Sequence, residues 1–263
     1  DTGGGQTVET LLESSFGMRH MPAVLRPGSG AGNADDADYV IPKYAPADFR
    51  RLKRLCPFLR SVGGHGIALW SDLQEVEPTQ YWALVREPLR RGASHFQYHV
   101  GHDQPDLDWR RWVSWPVHHT HQLKMFSRRA DAHEAVTAIE QNEVFVGLTE
   151  HFDESLLVFK RLFAPDLNIA YRRTNTARDN RLAQRLLQDP DSRLQLEEMY
   201  GDEVPFYEWV ARDYYPRFRR AYGPGLERDL EEFRRHRDRV NRLNIRLSRL
   251  YFRLIVRPRL RSA

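Results

Sequence analysis

Apolar positions along the chain follow two rhythms. Phe49, Leu52, Leu55 and Leu59 fall at three- and four-residue steps, which predicts a helix over 46–59. Short apolar runs bounded by turn residues predict strands over 61–70 (SVGGHGIALW), 80–85 (QYWALV) and 143–148 (EVFVGL). The run 80–85 is apolar or aromatic almost throughout, as in a strand buried on both faces. Pro88 suits a helix's first turn and opens a helix to about residue 100; further helices are expected over 132–141 and 153–163. The opening residues pass from a glycine run into an amphipathic helical segment. Strand and helix alternate through the first two thirds, so the expected class is α/β with a parallel sheet and crossover helices.

The tail has a different pattern. Leu226, Leu230, Phe233, Val240, Leu243, Leu247, Leu250 and Leu254 make a stripe over 225–256, enough for one helix of about eight turns. Arginines fill the remaining faces, and Arg237 alone interrupts the stripe. Three readings stay open: the helix packs on its own domain, pairs with a second copy in a homodimer, or lies on an anionic membrane surface. Residues 27–38 (PGSGAGNADDAD) read as a loop, 101–126 as an irregular stretch dense in Trp and His, and 172–180 as a polar loop.

Composition narrows the class. A chain of 263 residues with 41% hydrophobic and 29% charged residues fits one domain, at most two, and excludes a wholly disordered protein. No apolar run approaches the ~20 residues of a membrane span, and no secretory signal is expected. Cys56 stands alone, so neither an internal disulfide nor a Cys-based zinc site is expected, and a reducing cytoplasmic setting fits. Peripheral attachment to the inner face of a membrane is the alternative location. The net charge is +4, and lysine contributes only Lys43, Lys53, Lys124 and Lys160 to it. Arginine's planar fork suits phosphate or sulfate, although a GC-rich genome also produces arginine. The 36 acidic residues interleave with the basic ones, so no specific nucleic-acid binding is expected.

Three constellations could carry chemistry. Gly3-Gly4-Gly5-Gln6-Thr7 runs into a helix, where backbone N–H groups can cradle an anion; no strand precedes it and no lysine stands in it. Val85-Arg86-Glu87-Pro88, with Arg91 and Ser94, lies where a strand becomes a helix, the crevice end of an α/β sheet. Arg86 could hold a phosphate there or pair with an acidic neighbour; Ser94 could join it or pack on the sheet. His65, in Gly63-Gly64-His65-Gly66, has room for a substrate and the chemistry of a general base, though lone histidines are commonly structural. His118, His119 and His121 show no metal spacing backed by carboxylates, so no metal site is expected.

In this order the motifs resemble the carbohydrate sulfotransferase family, most closely the branch of heparan 2-O-sulfotransferases and their bacterial relatives. Val85-Arg86-Glu87-Pro88 with Arg91 and Ser94 matches that family's 3′-phosphate motif in identity and spacing. Val146-Gly147-Leu148-Thr149-Glu150, followed by Phe152-Asp153-Glu154-Ser155-Leu156, resembles its downstream segment, and Arg172-Arg173-Thr174-Asn175-Thr176 its basic loop over the nucleotide. The likeness covers roughly residues 1–220. It implies a metal-free transfer of sulfuryl from 3′-phosphoadenosine-5′-phosphosulfate (PAPS) to a hydroxyl. Gly4, Gly5, Gln6 and Thr7 would hold the 5′-phosphate, Arg86 and Ser94 the 3′-phosphate, Arg172 and Arg173 the nucleotide, and His65 would be the base.

One departure stands out. The family's loop reads Pro-Lys-Thr-Gly-Gly-(Thr/Ser), and here Thr2 or Asp1 takes the lysine's place. An altered or truncated N-terminus, a substituting arginine, or a weak or inactive enzyme each accounts for it. The expectation is a P-loop-like α/β domain over 1–222 with a basic amphipathic helix over 223–263. Its expected function is PAPS-dependent O-sulfotransfer to a glycan or glycosylated small molecule. Arg111, Trp112, Trp115 and His118, with the loop 27–38, would border the acceptor, although Trp112 and Trp115 also read as core. The alternative function is a catalytically weak or inactive relative that binds nucleotide or anionic glycan. A P-loop kinase is disfavoured, since no Gly-x-x-x-x-Gly-Lys-(Ser/Thr) occurs.

Overall fold

The computed structural model describes residues 5–23, 43–102, 104–115, 118–172 and 179–261. Two pairs of parallel strands organise it. β1 (His20–Pro22) pairs with β2 (Ser61–Gly63), His20 facing Ser61; β3 (Trp82–Val85) pairs with β4 (Phe145–Leu148), Val85 facing Leu148. The class is α/β, rich in helix. Where one sheet was expected, the described residues form two separate two-stranded sheets. β1 is too short to leave a hydrophobic rhythm. The strand expected over 61–70 ends at Gly63, because Gly64 takes φ +124 and turns the chain out of the ladder. β4 is buried throughout, whereas Trp82, Ala83 and Leu84 of β3 are only half-buried, less covered than the apolar run suggested.

The helices follow their sequence signals closely. α1 (Gly5–Phe16) sends Leu11 and Leu12 into the core. α2 (Pro46–Leu55) stops four residues short of the expected end, because Cys56 precedes Pro57 and is pushed out of helical geometry, at φ −131 and ψ 75. α3 (Pro88–His102) starts at its proline, α4 (Trp109–Val113) is capped by Asp108, and α5 (Ala132–Gln141) by Asp131, whose carboxylate accepts from Glu134 N at 2.6 Å. α6 (Phe152–Leu162) follows β4, and α7 (Arg181–Gln188), α8 (Pro190–Tyr200), α9 (Glu203–Trp209) and α10 (Tyr215–Tyr222) complete the middle of the chain. Two cores result. The larger joins both sheets through Leu11, Met21, Phe145, Leu156 and Tyr215. The smaller lies between α3, α4, α7 and α8 and holds Phe96, Trp112, Leu196 and Tyr200. Each fully buried side chain of this size contributes roughly 1.5–3 kcal/mol of transfer free energy.

The tail corrects the expectation of one continuous helix. It divides into α11 (Leu226–His236), α12 (Arg242–Tyr251), a π-helical turn at Phe252–Val256, and α13 (Arg257–Arg261). Arg237, the residue that interrupts the apolar stripe, stands at the break. Its carbonyl accepts from Tyr171 N at 2.5 Å and its guanidinium lies 2.7 Å from Asp153. α12 lies back along α1: Arg249 grips both oxygens of Glu13 at 3.0 and 2.9 Å, and Asn244 donates to Ser14 O. Leu226 and Val256 are buried in the larger core, so residues 223–261 belong to the main body, while Leu243, Leu247 and Leu254 remain exposed. No helix among the described residues is long and apolar enough to cross a membrane.

Candidate functional site

Three groups of side chains are candidates, and adjacent residues link two of them: His121 lies against His65 after β2, and Gln122 holds Arg86 after β3. The first is the corner from β3 into α3. Arg86 is half-buried there, and Gln122 holds its backbone from both sides: Oε1 accepts from Arg86 N at 2.8 Å and Nε2 donates to Arg86 O at 2.9 Å. Burial lowers the guanidinium's pKa from its ordinary value, with Glu150 and Glu87 opposing. Both carboxylates are occupied by backbone amides. Glu87 accepts from Leu89 N and Arg90 N at the start of α3, and Glu150 accepts from Glu87 N. One turn on, Arg91 reaches Glu203 at 3.0 Å. Glu203 is fully buried and also accepts from Gln122 N and Leu123 N, so the start of α9, the 122–123 backbone and α3 share one carboxylate. Burial opposes Arg91's charge, but Glu203, Tyr200 and Glu87 together outweigh it and the guanidinium's pKa is raised.

The second group surrounds His65. The Gly64–Gly66 turn after β2 admits no larger residue at Gly66, where a Cβ would lie 2.8 Å from Ala23 O. Ala23 N and Tyr44 N close the turn from either side. His65 therefore follows a strand's end, where the run 61–70 was expected to continue as strand. Its ring meets that of His121 edge-on at 5.3 Å, and Lys43 Nζ donates to His65 O at 2.5 Å. His65 keeps an exposed face yet is crowded on the other, and this crowding, aided by Lys43 and Arg91, pulls its pKa down to about 4. Burial likewise lowers Lys43 to about 8. A neutral imidazole beside two cations can accept a proton near an anionic ligand.

The third group is the Trp/His stretch. Trp112 is fully buried between Trp109, Phe96 and His118, so it is core and cannot stack on a sugar. His118 is 8% exposed and packs with it. Arg111 is exposed and lies over the half-buried Trp115 ring at 5.7 Å, so this pair keeps surface for a ligand.

The remaining expected residues scatter. Gly5 and Gln6 are exposed at the start of α1 and Thr7 is buried there; Ser94 is half-buried on α3; Arg172 is exposed. Gly4, Arg173, residues 174–176 and the loop 27–38 lie outside the described residues. The 146–156 segment proves to be an anchor. Ser155 Oγ bonds both N and O of Leu148, and Asp153 and Glu154 pair with Arg237 and Arg219. Sequence reasoning missed Lys43, Gln122 and Glu203, which have no local signature. It also missed His95 and His99, whose i, i+4 spacing on α3 is a readable one. No family model, curated protein or solved structure matches the chain.

Proposed function

We propose that this protein is a PAPS-dependent O-sulfotransferase acting on a glycan or glycosylated small molecule. A P-loop-like arrangement of its strands and phosphate loop belongs to the same proposal. The observation that carries it is His65, a neutral imidazole on a glycine turn with Lys43 and Arg91 as its cationic neighbours. The donor, when bound, supplies an activated sulfuryl group. In the reaction the acceptor oxygen bonds to sulfur as its proton passes to His65. The S–O bond to the 5′-phosphate breaks, and the departing phosphate keeps the electron pair. Arg86 holds the 3′-phosphate, its backbone fixed by Gln122. Lys43 provides the ammonium that the glycine run lacks. Such a transfer depends on position and charge more than on covalent chemistry.

Release of 3′-phosphoadenosine-5′-phosphate from PAPS, with a panel of glycan acceptors, tests the reading. His65→Ala should lower turnover ~10²–10⁴-fold with donor affinity retained. Full turnover in a folded His65→Ala variant would remove His65 from the chemistry. Tight donor binding without turnover on any acceptor would favour an inactive relative.

A further inference from the structure

Two of the histidines that sequence reasoning passed over lie on one face of α3. His95 and His99 are four residues apart, and the chain after α4 lays His118 against them. Ring centroids lie 4.6 Å apart for His95–His99 and 4.8 Å for His95–His118. One ligand nitrogen from each ring falls within 4.8 Å of the other two. The Nε2 atoms of His95 and His99 are 3.1 Å apart, a ring-to-ring hydrogen bond without an ion, and close to the about 3.3 Å that separates two nitrogens on a tetrahedral ion with bonds near 2.0–2.1 Å.

Hydrogen bonding gives an independent sign. His118 Nε2 is buried, in a residue 8% exposed, and has no hydrogen-bond partner among the described residues. His95 Nδ1 is in the same state, as are Arg91 Nε, Trp112 Nε1 and Tyr200 Oη, all in this part of the smaller core. Buried polar atoms are normally satisfied, and each exception costs about 1–3 kcal/mol. Of these atoms the imidazole nitrogens can offer a lone pair to an ion, whereas Arg91 Nε and Trp112 Nε1 only donate and call for water.

We propose that His95, His99 and His118 bind a divalent transition-metal ion, zinc foremost, through three imidazole nitrogens. Among the described residues this group includes no carboxylate or thiolate, and an all-imidazole set suits zinc, copper or nickel rather than magnesium or calcium. The neutral imidazole is the ligating form. Three protein ligands leave a fourth position for water. The ion ties α3 to the stretch after α4.

The test uses tag-free protein treated with chelator and then returned to metal-free buffer. Zn²⁺ is titrated in competition with a chromophoric chelator, and Co²⁺ is added separately for its visible spectrum. The account expects one equivalent of Zn²⁺ per chain and the intense bands of four-coordinate Co²⁺. His95→Gln and His118→Gln should each weaken Zn²⁺ at least tenfold, whereas His133→Gln, at an exposed histidine on α5, should change nothing. If the variants fold poorly, unmutated protein still answers through its Co²⁺ spectrum and a melting temperature that rises with Zn²⁺. A pale six-coordinate Co²⁺ spectrum, no Zn²⁺-dependent melting shift, or equal Zn²⁺ affinity in all folded variants would overturn the site and leave water between the rings.

Discussion

His20 and His118 are both buried histidines, yet the chain treats them in opposite ways. His20, fully buried on β1, has its Nδ1 bonded to Ser61 Oγ at 2.7 Å and its Nε2 to Glu9 Oε1 at 2.9 Å. It fastens β1, β2 and α1 together, and its polar capacity is spent on structure. His118 is nearly as buried, stacks on Trp112, and leaves Nε2 without a partner among the described residues. Burial alone therefore does not mark a functional histidine; the accounting of its nitrogens does. The same contrast holds for charge. Asp153 and Glu203 are each held by an arginine and by further hydrogen bonds, whereas His65 shares its surroundings with Lys43 and Arg91 and faces the open side.

The strongest way to test the structural half of this contrast is Glu203→Ala. It leaves Arg91 buried without its anion and strips the 122–123 amides, so stability should fall by about 3–5 kcal/mol in denaturant unfolding. A loss below about 1 kcal/mol would show that Arg91 reaches solvent. Next comes His20→Gln, which disturbs two part-buried hydrogen bonds and should cost about 1–3 kcal/mol. His118→Gln in chelator-treated protein should cost less, since Nε2 has no bond to lose; a larger loss than at His20 would reverse the comparison.

A third test is pH. His65 titrates near 4, below the ordinary 6.5, so it stays neutral through the neutral range and gains its proton only as pH falls toward 4. Lys43, near 8, loses its charge as pH rises past that value. With His121 and Arg91 as the other neighbours, turnover should plateau between about 5 and 7 and decline on both sides. A limb at pH 6.5 would mean that the working histidine is solvated and is not His65 as it sits here. The smallest effect is expected from Arg237→Ala. Asp153 keeps Tyr171 OH and Arg234, so the cost should be about 1 kcal/mol or less in thermal unfolding.

What could be read from the sequence follows the range of the forces involved. α5 was legible to the residue because Asp131 caps it and its apolar face repeats locally. The start of α3 was legible from Pro88. The break in the tail was not, because the apolar stripe passes through it and the cause lies far away, in Tyr171 and Asp153. The separation of the strands into two pairs was hidden for the same reason, since pairing is non-local. At the site, Arg86, Arg91 and His65 were visible as motifs, but their supports Gln122, Glu203 and Lys43 come from 22 to 112 residues away. Trp112 was visible and ambiguous, and packing resolved it as core.

Calorimetric titration of the purified chain with 3′-phosphoadenosine-5′-phosphate and with AMP tests the proposed 3′-phosphate contact of Arg86 most directly. A charge-assisted arginine–phosphate contact is worth roughly 1.5–3 kcal/mol. The bisphosphate should therefore bind at least about tenfold tighter than AMP, and Arg86→Ala should abolish that preference while leaving AMP almost unchanged. Equal affinity for the two ligands, or equal loss of both in a folded Arg86→Ala variant, would contradict the account and make Arg86 a structural partner of Glu87 and Glu150.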